Sequence, residues 1–188
     1  SRRIKGEGMD MENRFLIVVD MQNDFVTGSL GTKEAQAIVL QTVKKAEAFE
    51  GTVLFTLDTH GEDYLQTQEG KRLPVKHCIE GTEGWDWIPP LQEVQEKKNA
   101  RIFKKKTFGS VELAQYLADI HEKTPISSIE LIGLCTDICV VSNALLIKAY
   151  LPEVPILVDA SCCAGVTPGS HEAALQTMEC CQIQVQNR

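Results

Sequence analysis

The chain has 188 residues, and 43% of them are apolar, which is enough to bury one core of ordinary size. A formal net charge of -7 at pH 7 disfavours nucleic acid as a partner, and the longest basic run, residues 104–106, is too short to follow a phosphate backbone. No stretch reaches the roughly 18 apolar residues of a membrane span, so we expect no membrane partner. We expect residues 1–12 to be a tag remnant or a flexible N-terminus, and residues 13–188 to form one domain.

Apolar runs alternate with helical patterns along the chain. The predicted strands cover residues 15–19, 52–57, 102–103, 128–134, 154–158 and 183–185. The predicted helices cover residues 33–49, 111–121, 138–151 and 169–180. This alternation predicts an α/β fold, with a single three-layer α/β/α domain around a mainly parallel sheet of about six strands.

A long irregular stretch separates the second predicted strand from the third. It runs from residue 58 to about residue 90 and carries both tryptophans and two of the four histidines. Connections of this length are uncommon in a compact domain unless they have a function. We therefore expect this segment to contribute to a site.

The cysteine content predicts reduced thiols in the cytoplasm. The seven cysteines are odd in number and include two adjacent pairs, a poor framework for the disulfides of a secreted domain. Four of them have neither the spacing of a zinc finger nor that of a redox pair, and we interpret them as packing residues. They are Cys162, Cys163, Cys180 and Cys181.

Four predicted strands are each followed by reactive side chains. These are Asp20, then Asp58 with His60, then the lysines at 104–106, then Cys135 with Cys139. A single aspartate in such a position is more often a turn or cap residue. Because ligands of parallel sheets bind at the carboxyl ends of the strands, the four groups together favour a functional site there.

Cys139 is a candidate nucleophile because it lies in the first turn of a predicted helix. Unpaired N–H groups and the helix dipole favour a thiolate at this place, so we expect a lowered pKa. Asp20 could accept the thiol proton, and a lysine could stabilise developing negative charge. The alternative interpretation is that Cys135 and Cys139 are small buried residues of the core.

Asp58 and His60 are candidate metal ligands. Residues two apart in an extended chain leave the same face, and His77 from the long loop could join them. One carboxylate and two imidazoles suit a divalent transition metal with open coordination positions. The alternative is that Asp58 caps a turn and the histidines are solvated. His121 and His171 fall on predicted helices, and we interpret them as surface or cap residues.

Ordered sequence motifs resemble those of the isochorismatase-like cysteine hydrolases, and among these the nicotinamidases. The motifs are VVDMQNDF at 18–25, DTH at 58–60 with HCIEGT at 77–82, KKKTFGS at 104–110 and GLCTDICV at 133–140. The resemblance covers nearly the whole chain and implies a parallel sheet with helices on both faces. It also implies an enzyme of NAD salvage and pyridine nucleotide biosynthesis, which converts nicotinamide to nicotinate and ammonia through a cysteine thioester.

The resemblance assigns a catalytic triad. It makes Cys139 the nucleophile and Asp20 the acceptor of its proton. The third member is a lysine three residues before an aromatic, and Phe108 selects Lys105 by this count.

The resemblance further implies a cis peptide bond between Leu134 and Cys135. The N–H groups of Cys135 and Cys139 would form the oxyanion hole. Leu134 is also expected to contribute to substrate binding, together with Phe25, which would pack on the substrate ring.

For the metal, the nicotinamidase branch implies Asp58, His60 and His77 as ligands. Glu69 is favoured as a further ligand, with Glu62 as the alternative. Zinc is the expected ion, and iron and manganese remain open.

The sequence departs from many nicotinamidases at Pro74, where those proteins have an aromatic residue. Trp85 or Trp87 could replace that aromatic, and another small amide therefore remains an alternative substrate. Two alternatives to a metal-assisted nicotinamidase also remain. One is a metal-free hydrolase of the isochorismatase type, and the other is a noncatalytic thiol-sensing or metal-storing protein. The resemblance allows a homo-oligomer.

Overall fold

The computed structural model describes residues 13–188, and its centre is a parallel sheet. The strands are β1 (Arg14–Val19), β2 (Thr52–Asp58), β3 (Arg101–Lys105), β4 (Ser128–Leu134), β5 (Ile156–Ala164) and β6 (Gln184–Gln186). Their order across the sheet is β3-β2-β1-β4-β5-β6, and every neighbouring pair is parallel. The expected tag remnant or flexible N-terminus, residues 1–12, lies outside the described residues.

Eight α-helices, one 3₁₀ helix and one π-helical turn connect the strands within the described part of the chain. The helices are α1 (Asn23–Val26), α2 (Lys33–Ala37), α3 (Val39–Ala48), α4 (Gln68–Arg72), α5 (Pro89–Lys98), α6 (Val111–Lys123), α7 (Val141–Tyr150) and α8 (Pro168–Cys180). The 3₁₀ helix is Tyr64–Gln66, and the π-helical turn is Thr136–Val140. None of the helices in residues 13–188 has the length and apolar character to cross a membrane.

Two apolar cores lie on opposite faces of the sheet. Phe15, Ile17 and Val19 of β1 pack with residues of α6, α7 and α8, whereas Leu16 and Val18 pack with residues of α2, α3 and α5. Successive side chains of a strand point to opposite faces, so one strand supplies both cores. The predicted three-layer α/β/α architecture is confirmed.

Several predicted boundaries differ from the structure. The helix expected at 33–49 is divided into α2 and α3 at Ile38 (φ -93°, ψ -5°), which is the C-cap of α2 and the N-cap of α3. The helix expected at 138–151 begins earlier, as the π-helical turn. β5 extends to Ala164 rather than ending at residue 158, and α5 was not predicted. β3 includes Lys105, so this lysine ends the strand instead of following it.

The cysteine predictions are confirmed for one adjacent pair and wrong for the other. Cys162 and Cys163 are buried in β5, as expected of packing residues. Cys180 and Cys181 are exposed, at the last residue and the C-cap of α8. All seven cysteines are free thiols.

The central strands bring the predicted site residues to one edge of the sheet. β3, β2, β1 and β4 are consecutive, so the ends that carry Lys105, Asp58, Asp20 and Cys135 are neighbours. Gly133 allows β4 to approach β1 closely, since a Cβ atom at this position would lie 2.2 Å from the carbonyl oxygen of Val19. Its φ of 118° is also a value that favours glycine.

Candidate active site

A carboxylate, an ammonium group and a thiol meet at the carboxyl ends of β1, β3 and β4. The Nζ atom of Lys105 lies 2.6 Å from Oδ2 of Asp20 and 3.2 Å from Sγ of Cys139. The exposed fraction is 0% for Asp20, 4% for Lys105 and 5% for Cys139, so the three groups interact largely shielded from water. A thiol beside a base and a cation is the arrangement that nucleophilic catalysis needs.

Thr56 of β2 holds Asp20 in one orientation. The backbone of Asp20 has φ 48°, an uncommon value for a residue with a side chain. Its N–H donates to Oγ1 of Thr56 at 3.1 Å, and the Thr56 hydroxyl donates to Oδ1 of Asp20 at 2.6 Å. The other carboxylate oxygen, Oδ2, is left to face Lys105. Thr56 was not predicted, because threonine is common in strands and gives no separate signal there.

Burial determines the protonation of the thiol. Burial, followed by the charge of Asp20, raises the pKa of Cys139 well above its ordinary value. The lowered pKa expected from the start of a helix is therefore wrong. Burial also raises the pKa of Asp20, although Lys105 opposes this effect. A more basic carboxylate beside a protonated thiol suits proton transfer from Cys139 to Asp20.

The three consecutive lysines have different surroundings. Burial alone would lower the pKa of Lys105, but the nearby carboxylates and thiol outweigh burial and raise it, so the ammonium group stays charged. Lys104 and Lys106 are exposed, and Lys104 pairs with Glu80 at 2.9 Å. The lysine that the structure brings into the site is Lys105.

Asp58, His60 and His77 form a second cluster beside the first. Their ligand atoms all lie within 4.8 Å of one another, and all three residues are buried. Oδ2 of Asp58 is 3.0 Å from Nε2 of His60 and 3.5 Å from Nε2 of His77. An isolated parallel β-bridge between His60 and Ile79 aligns the two segments that carry the histidines. Oδ1 of Asp58 is 3.8 Å from Nζ of Lys105, so the two clusters adjoin.

These residues fit a divalent cation. Burial favours the neutral acid, but hydrogen bonds from His60 and His77 outweigh it and hold the pKa of Asp58 well below its usual range. Nδ1 of His77 bonds to the carbonyl of Val75 at 2.9 Å. Because a carbonyl only accepts, Nδ1 carries a hydrogen, so Nε2 is the atom that His77 could offer to a cation, in place of the proton that it directs at Asp58.

Glu69 adds a further donor to this cluster. Its Oε2 lies 3.2 Å from Nε2 of His60 and is buried without a hydrogen-bond partner among the described residues. Because the imidazole of His60 is its polar neighbour, a cation bound to His60 would also neutralise the Glu69 carboxylate. The alternative ligand, Glu62, is wrong, because its side chain is 84% exposed and faces Lys76 at 3.8 Å.

Tyr64, which was not predicted, packs against both imidazoles. Its ring centroid lies 4.8 Å from that of His60 and 4.9 Å from that of His77. The Tyr64 hydroxyl donates to the carbonyl of Leu73 at 2.9 Å, and burial, followed by Glu69, raises its pKa to about 12. The tyrosine therefore stays neutral and fixes the orientation of the two rings.

The peptide bond between Leu134 and Cys135 is cis, as expected. The carbonyl of Cys135 accepts hydrogen bonds from the N–H groups of Ile138 and Val140, at 3.1 and 3.0 Å, and this closes the π-helical turn that carries Cys139. The side chain of Leu134 is 1% exposed and packs in the core. It is therefore not brought into the site, and only its backbone adjoins it.

Asn143 of α7 connects the π-helical turn Thr136–Val140 to the turn that follows β3. We call the first of these the nucleophile turn, because it carries the candidate nucleophile Cys139. Its fully buried amide donates to the carbonyls of Cys139 at 2.8 Å and of Phe108 at 3.2 Å. Its Oδ1 accepts from the N–H of Ser110 at 2.9 Å. These bonds fix the distance between the segments that carry Cys139 and Lys105. Asn143 was not predicted, because α7 also carries Ser142 and Lys148 and one more polar residue on it gives no separate signal.

The aromatic residues near the site have different roles. Phe25 is half-buried, with its ring centroid 5.5 Å from that of His77. Trp87 is 4% exposed and donates from Nε1 to the carbonyl of Thr56, so it is a packing residue and does not replace the missing aromatic. Trp85 is half-buried, and Pro74 is exposed.

His171 is not the surface or cap residue expected from its helical position. It is half-buried, and its Nδ1 lies 2.7 Å from Oγ1 of Thr136, in the nucleophile turn. His121 behaves as expected, since its Nδ1 accepts the N–H of Ile126 beyond the end of α6.

Comparisons with known proteins agree with this geometry. The family model described as the isochorismatase domain matches residues 14–187. The uncharacterized isochorismatase family protein PncA of Bacillus subtilis (strain 168) is 29% identical over 171 residues, which cover 85% of this chain and 91% of that protein. The nicotinamidase/pyrazinamidase of Mycobacterium tuberculosis (strain ATCC 25618 / H37Rv) is 28% identical over 185 residues, which cover 92% and 97%.

A solved structure extends the similarity to the fold. The crystal structure of nicotinamidase PncA from Bacillus subtilis has a TM-score of 0.79 and 30% sequence identity, over 92% of this chain and 98% of that chain. The family match covers almost all of the described residues, including both clusters of the site. The chain therefore belongs to the isochorismatase family.

Proposed function

We propose that this protein is a nicotinamidase-like amidohydrolase, which converts nicotinamide and water to nicotinate and ammonia. The observation that carries the proposal is the buried contact of Lys105 with both the Asp20 carboxylate and the Cys139 thiol. The names of the Mycobacterium tuberculosis relative and the Bacillus subtilis structure support nicotinamide as the substrate. The product would serve NAD salvage.

The first stage forms a thioester. Asp20 accepts the thiol proton of Cys139 while the sulfur attacks the carboxamide carbon, and the carbonyl oxygen takes the electron pair of the broken π bond. The N–H groups of Cys135 and Cys139 are the proposed donors to this oxyanion. Asp20 then gives the proton to the nitrogen, the C–N bond breaks, and ammonia leaves.

The second stage releases the acid. Water attacks the thioester carbon and gives one proton to Asp20, so the same carboxylate acts as base in both stages. The C–S bond then breaks, nicotinic acid leaves and ionises, and Asp20 returns the proton to the sulfur of Cys139. Lys105 keeps Asp20 ionised before each transfer and stabilises the sulfur anion when it forms.

We infer that Asp58, His60 and His77, with Glu69, hold a divalent cation. Two imidazoles and carboxylate oxygens match catalytic zinc sites, so we propose zinc, and Fe(II) and Mn(II) are the competing ions that metal analysis would identify. When bound, the cation supplies a Lewis acid that can orient a polar atom of the substrate or polarise a water. Phe25, beside His77, is proposed to pack on the pyridine ring.

Ammonia release from nicotinamide by the purified, reduced protein tests the proposal. We expect ammonia and nicotinate in equal amounts from the wild-type protein and no detectable turnover from Cys139→Ala. A chelator should abolish activity, zinc should restore it, and metal analysis should find close to one ion per chain. Cys181→Ala, at an exposed thiol outside the site, is the matched control and should keep wild-type activity.

Three results would overturn parts of the proposal. Turnover by Cys139→Ala would exclude the thioester. A wild-type protein that is inactive on nicotinamide but hydrolyses another small aromatic amide would overturn the substrate and leave the cysteine mechanism in place. Full activity in a protein shown to be free of metal would favour the metal-free type of hydrolase.

A further inference from the structure

A partly buried hydrogen bond joins the nucleophile turn to α8. Thr136 directly follows Cys135 and is fully buried. Its Oγ1 lies 2.7 Å from Nδ1 of His171, in the first turn of α8. Burial lowers the pKa of His171, so the imidazole is neutral near pH 7 and its Nδ1 can either accept from or donate to a hydroxyl.

Two other contacts hold the start of α8 against the same turn. The carboxylate of Asp137 accepts the N–H of Val166 at 3.2 and 3.4 Å. Gly165 allows a close backbone approach, because a Cβ atom there would lie 2.8 Å from the backbone nitrogen of His171. A capping box at Thr167 then fixes where α8 begins. The position of His171 relative to the nucleophile turn is therefore set from several sides.

We propose that His171 is a positioning residue, which acts through Thr136 to fix the backbone turn that carries the oxyanion-hole N–H groups of Cys135 and Cys139. The inference rests on the proposed function, because the oxyanion hole belongs to that mechanism. His171 itself touches no reacting atom, and its effect is on the geometry of the donors.

Replacement of His171 by asparagine and by leucine separates this role from packing. The side-chain amide of asparagine places a hydrogen-bonding atom close to the position of the imidazole Nδ1, whereas leucine fills the space without a polar atom. We expect His171→Leu to lower kcat by about 10-fold with KM unchanged, less than the loss of an oxyanion donor itself. His171→Asn should recover most of the lost rate.

A double-mutant cycle with Thr136→Val tests whether the two residues act through one bond. If they do, the double variant Thr136→Val/His171→Leu should turn over no more slowly than the slower single variant. Losses that multiply would overturn the proposal, as would a His171→Asn enzyme as slow as His171→Leu. His121→Leu, a histidine that accepts a backbone N–H far from the site, is the matched control and should keep wild-type kcat.

Amide hydrogen exchange provides a readout that needs no substrate. We expect faster exchange over residues 134–140 in His171→Leu than in the wild-type protein or in His171→Asn, with the rest of the sheet unchanged. Unchanged exchange in this turn would overturn the positioning role. If the wild-type protein fails to hydrolyse nicotinamide, the proposed function fails, and the exchange result still decides whether His171 orders the turn.

Discussion

Lys105 sets the charge balance of the candidate site. Its ammonium group lies 2.6 Å from Asp20 and 3.8 Å from Asp58, so one buried cation faces two carboxylates. Removal of one partner from a buried ion pair costs about 3–5 kcal/mol when the other charge is left unpaired. Since burial raises the pKa of Asp20, loss of Lys105 would allow Asp20 to take up a proton. A neutral Asp20 could no longer accept the thiol proton.

Lys105→Met should therefore abolish most of the activity. We expect kcat for nicotinamide hydrolysis to fall by about 10²–10⁴-fold, the range for loss of a general base. The free energy of unfolding should also fall, and urea unfolding would measure it. The double variant Asp20→Asn/Lys105→Met should be more stable than Lys105→Met, because position 20 then has no carboxylate that has lost its cation, yet it should remain inactive.

Lys104→Met is the matched control for this prediction. Lys104 is exposed and pairs with Glu80 on the surface, where an ion pair contributes little to stability. Its loss should leave kcat and the free energy of unfolding close to wild type. If Lys104→Met were inactive and Lys105→Met active, the assignment of the lysine would be off by one residue.

The contact between α7 and the turn after β3 shows how separate elements define one site. Asn143 satisfies two carbonyls and one N–H with a single buried side chain. A buried polar group left without a partner costs about 1–3 kcal/mol. The amide therefore stabilises the fold and also fixes the separation of the segments that carry Cys139 and Lys105.

Asn143→Leu should lower both stability and turnover. Leucine has a similar size but leaves the three backbone groups unpaired, so we expect a loss of at least about 2 kcal/mol in urea unfolding. We also expect kcat to fall by about 10-fold, because the distance between Lys105 and Cys139 would no longer be fixed. Gln95→Leu, which removes another buried amide that donates to a carbonyl, should lower stability but leave kcat unchanged. Equal kcat in the two variants would contradict a positioning role for Asn143.

The elements were largely predictable, because apolar runs that end in polar residues mark the strands of a parallel sheet. The groups that meet at those strand ends were also predictable, since the ends share one edge. Thr56, Asn143 and His171 were not predicted as site residues. Each contacts a partner 33 to 36 residues away, or closes a turn near the nucleophile, and such contacts depend on strand register and helix rotation. Sequence periodicity does not predict strand register or helix rotation accurately enough to identify individual hydrogen bonds.

At the scale of the whole molecule, the two helical layers are attached to the sheet in different ways. The face covered by α6, α7 and α8 is an apolar core. The other face also has a charged cluster, in which Nζ of Lys45 lies 3.0 Å from Oε2 of Glu130 and 3.0 Å from Oδ2 of Asp159. This cluster joins α3 to β4 and β5 and shares no residue with the candidate site. It should therefore affect stability without affecting the chemistry.

Asp159 makes the contribution of this cluster to the free energy of unfolding depend on pH. Burial favours its neutral form, but hydrogen bonds from Ser161 and Lys45 outweigh burial and lower the pKa of Asp159 in the folded protein. The folded state thus binds the proton less readily than the unfolded chain. Its contribution to stability is complete above the unfolded pKa of about 4, and it is lost as the pH falls through the lower folded pKa.

Asp159→Asn should therefore lower the free energy of unfolding at neutral pH by about 1.5–3 kcal/mol, the contribution of a hydrogen bond to a charged group. The difference from the wild-type protein should narrow as the pH falls below about 4, because the wild-type carboxyl then becomes neutral as well. Urea unfolding of both proteins across this pH range measures the difference in their free energies of unfolding. Any bound metal would be lost from both proteins in acid, so its loss does not affect this difference. Asp119→Asn, at an exposed aspartate on α6, should show almost no difference at any pH. If the difference in free energy of unfolding between the wild-type protein and Asp159→Asn stayed constant down to acidic pH, the carboxylate would stabilise the fold by packing and not by its charge.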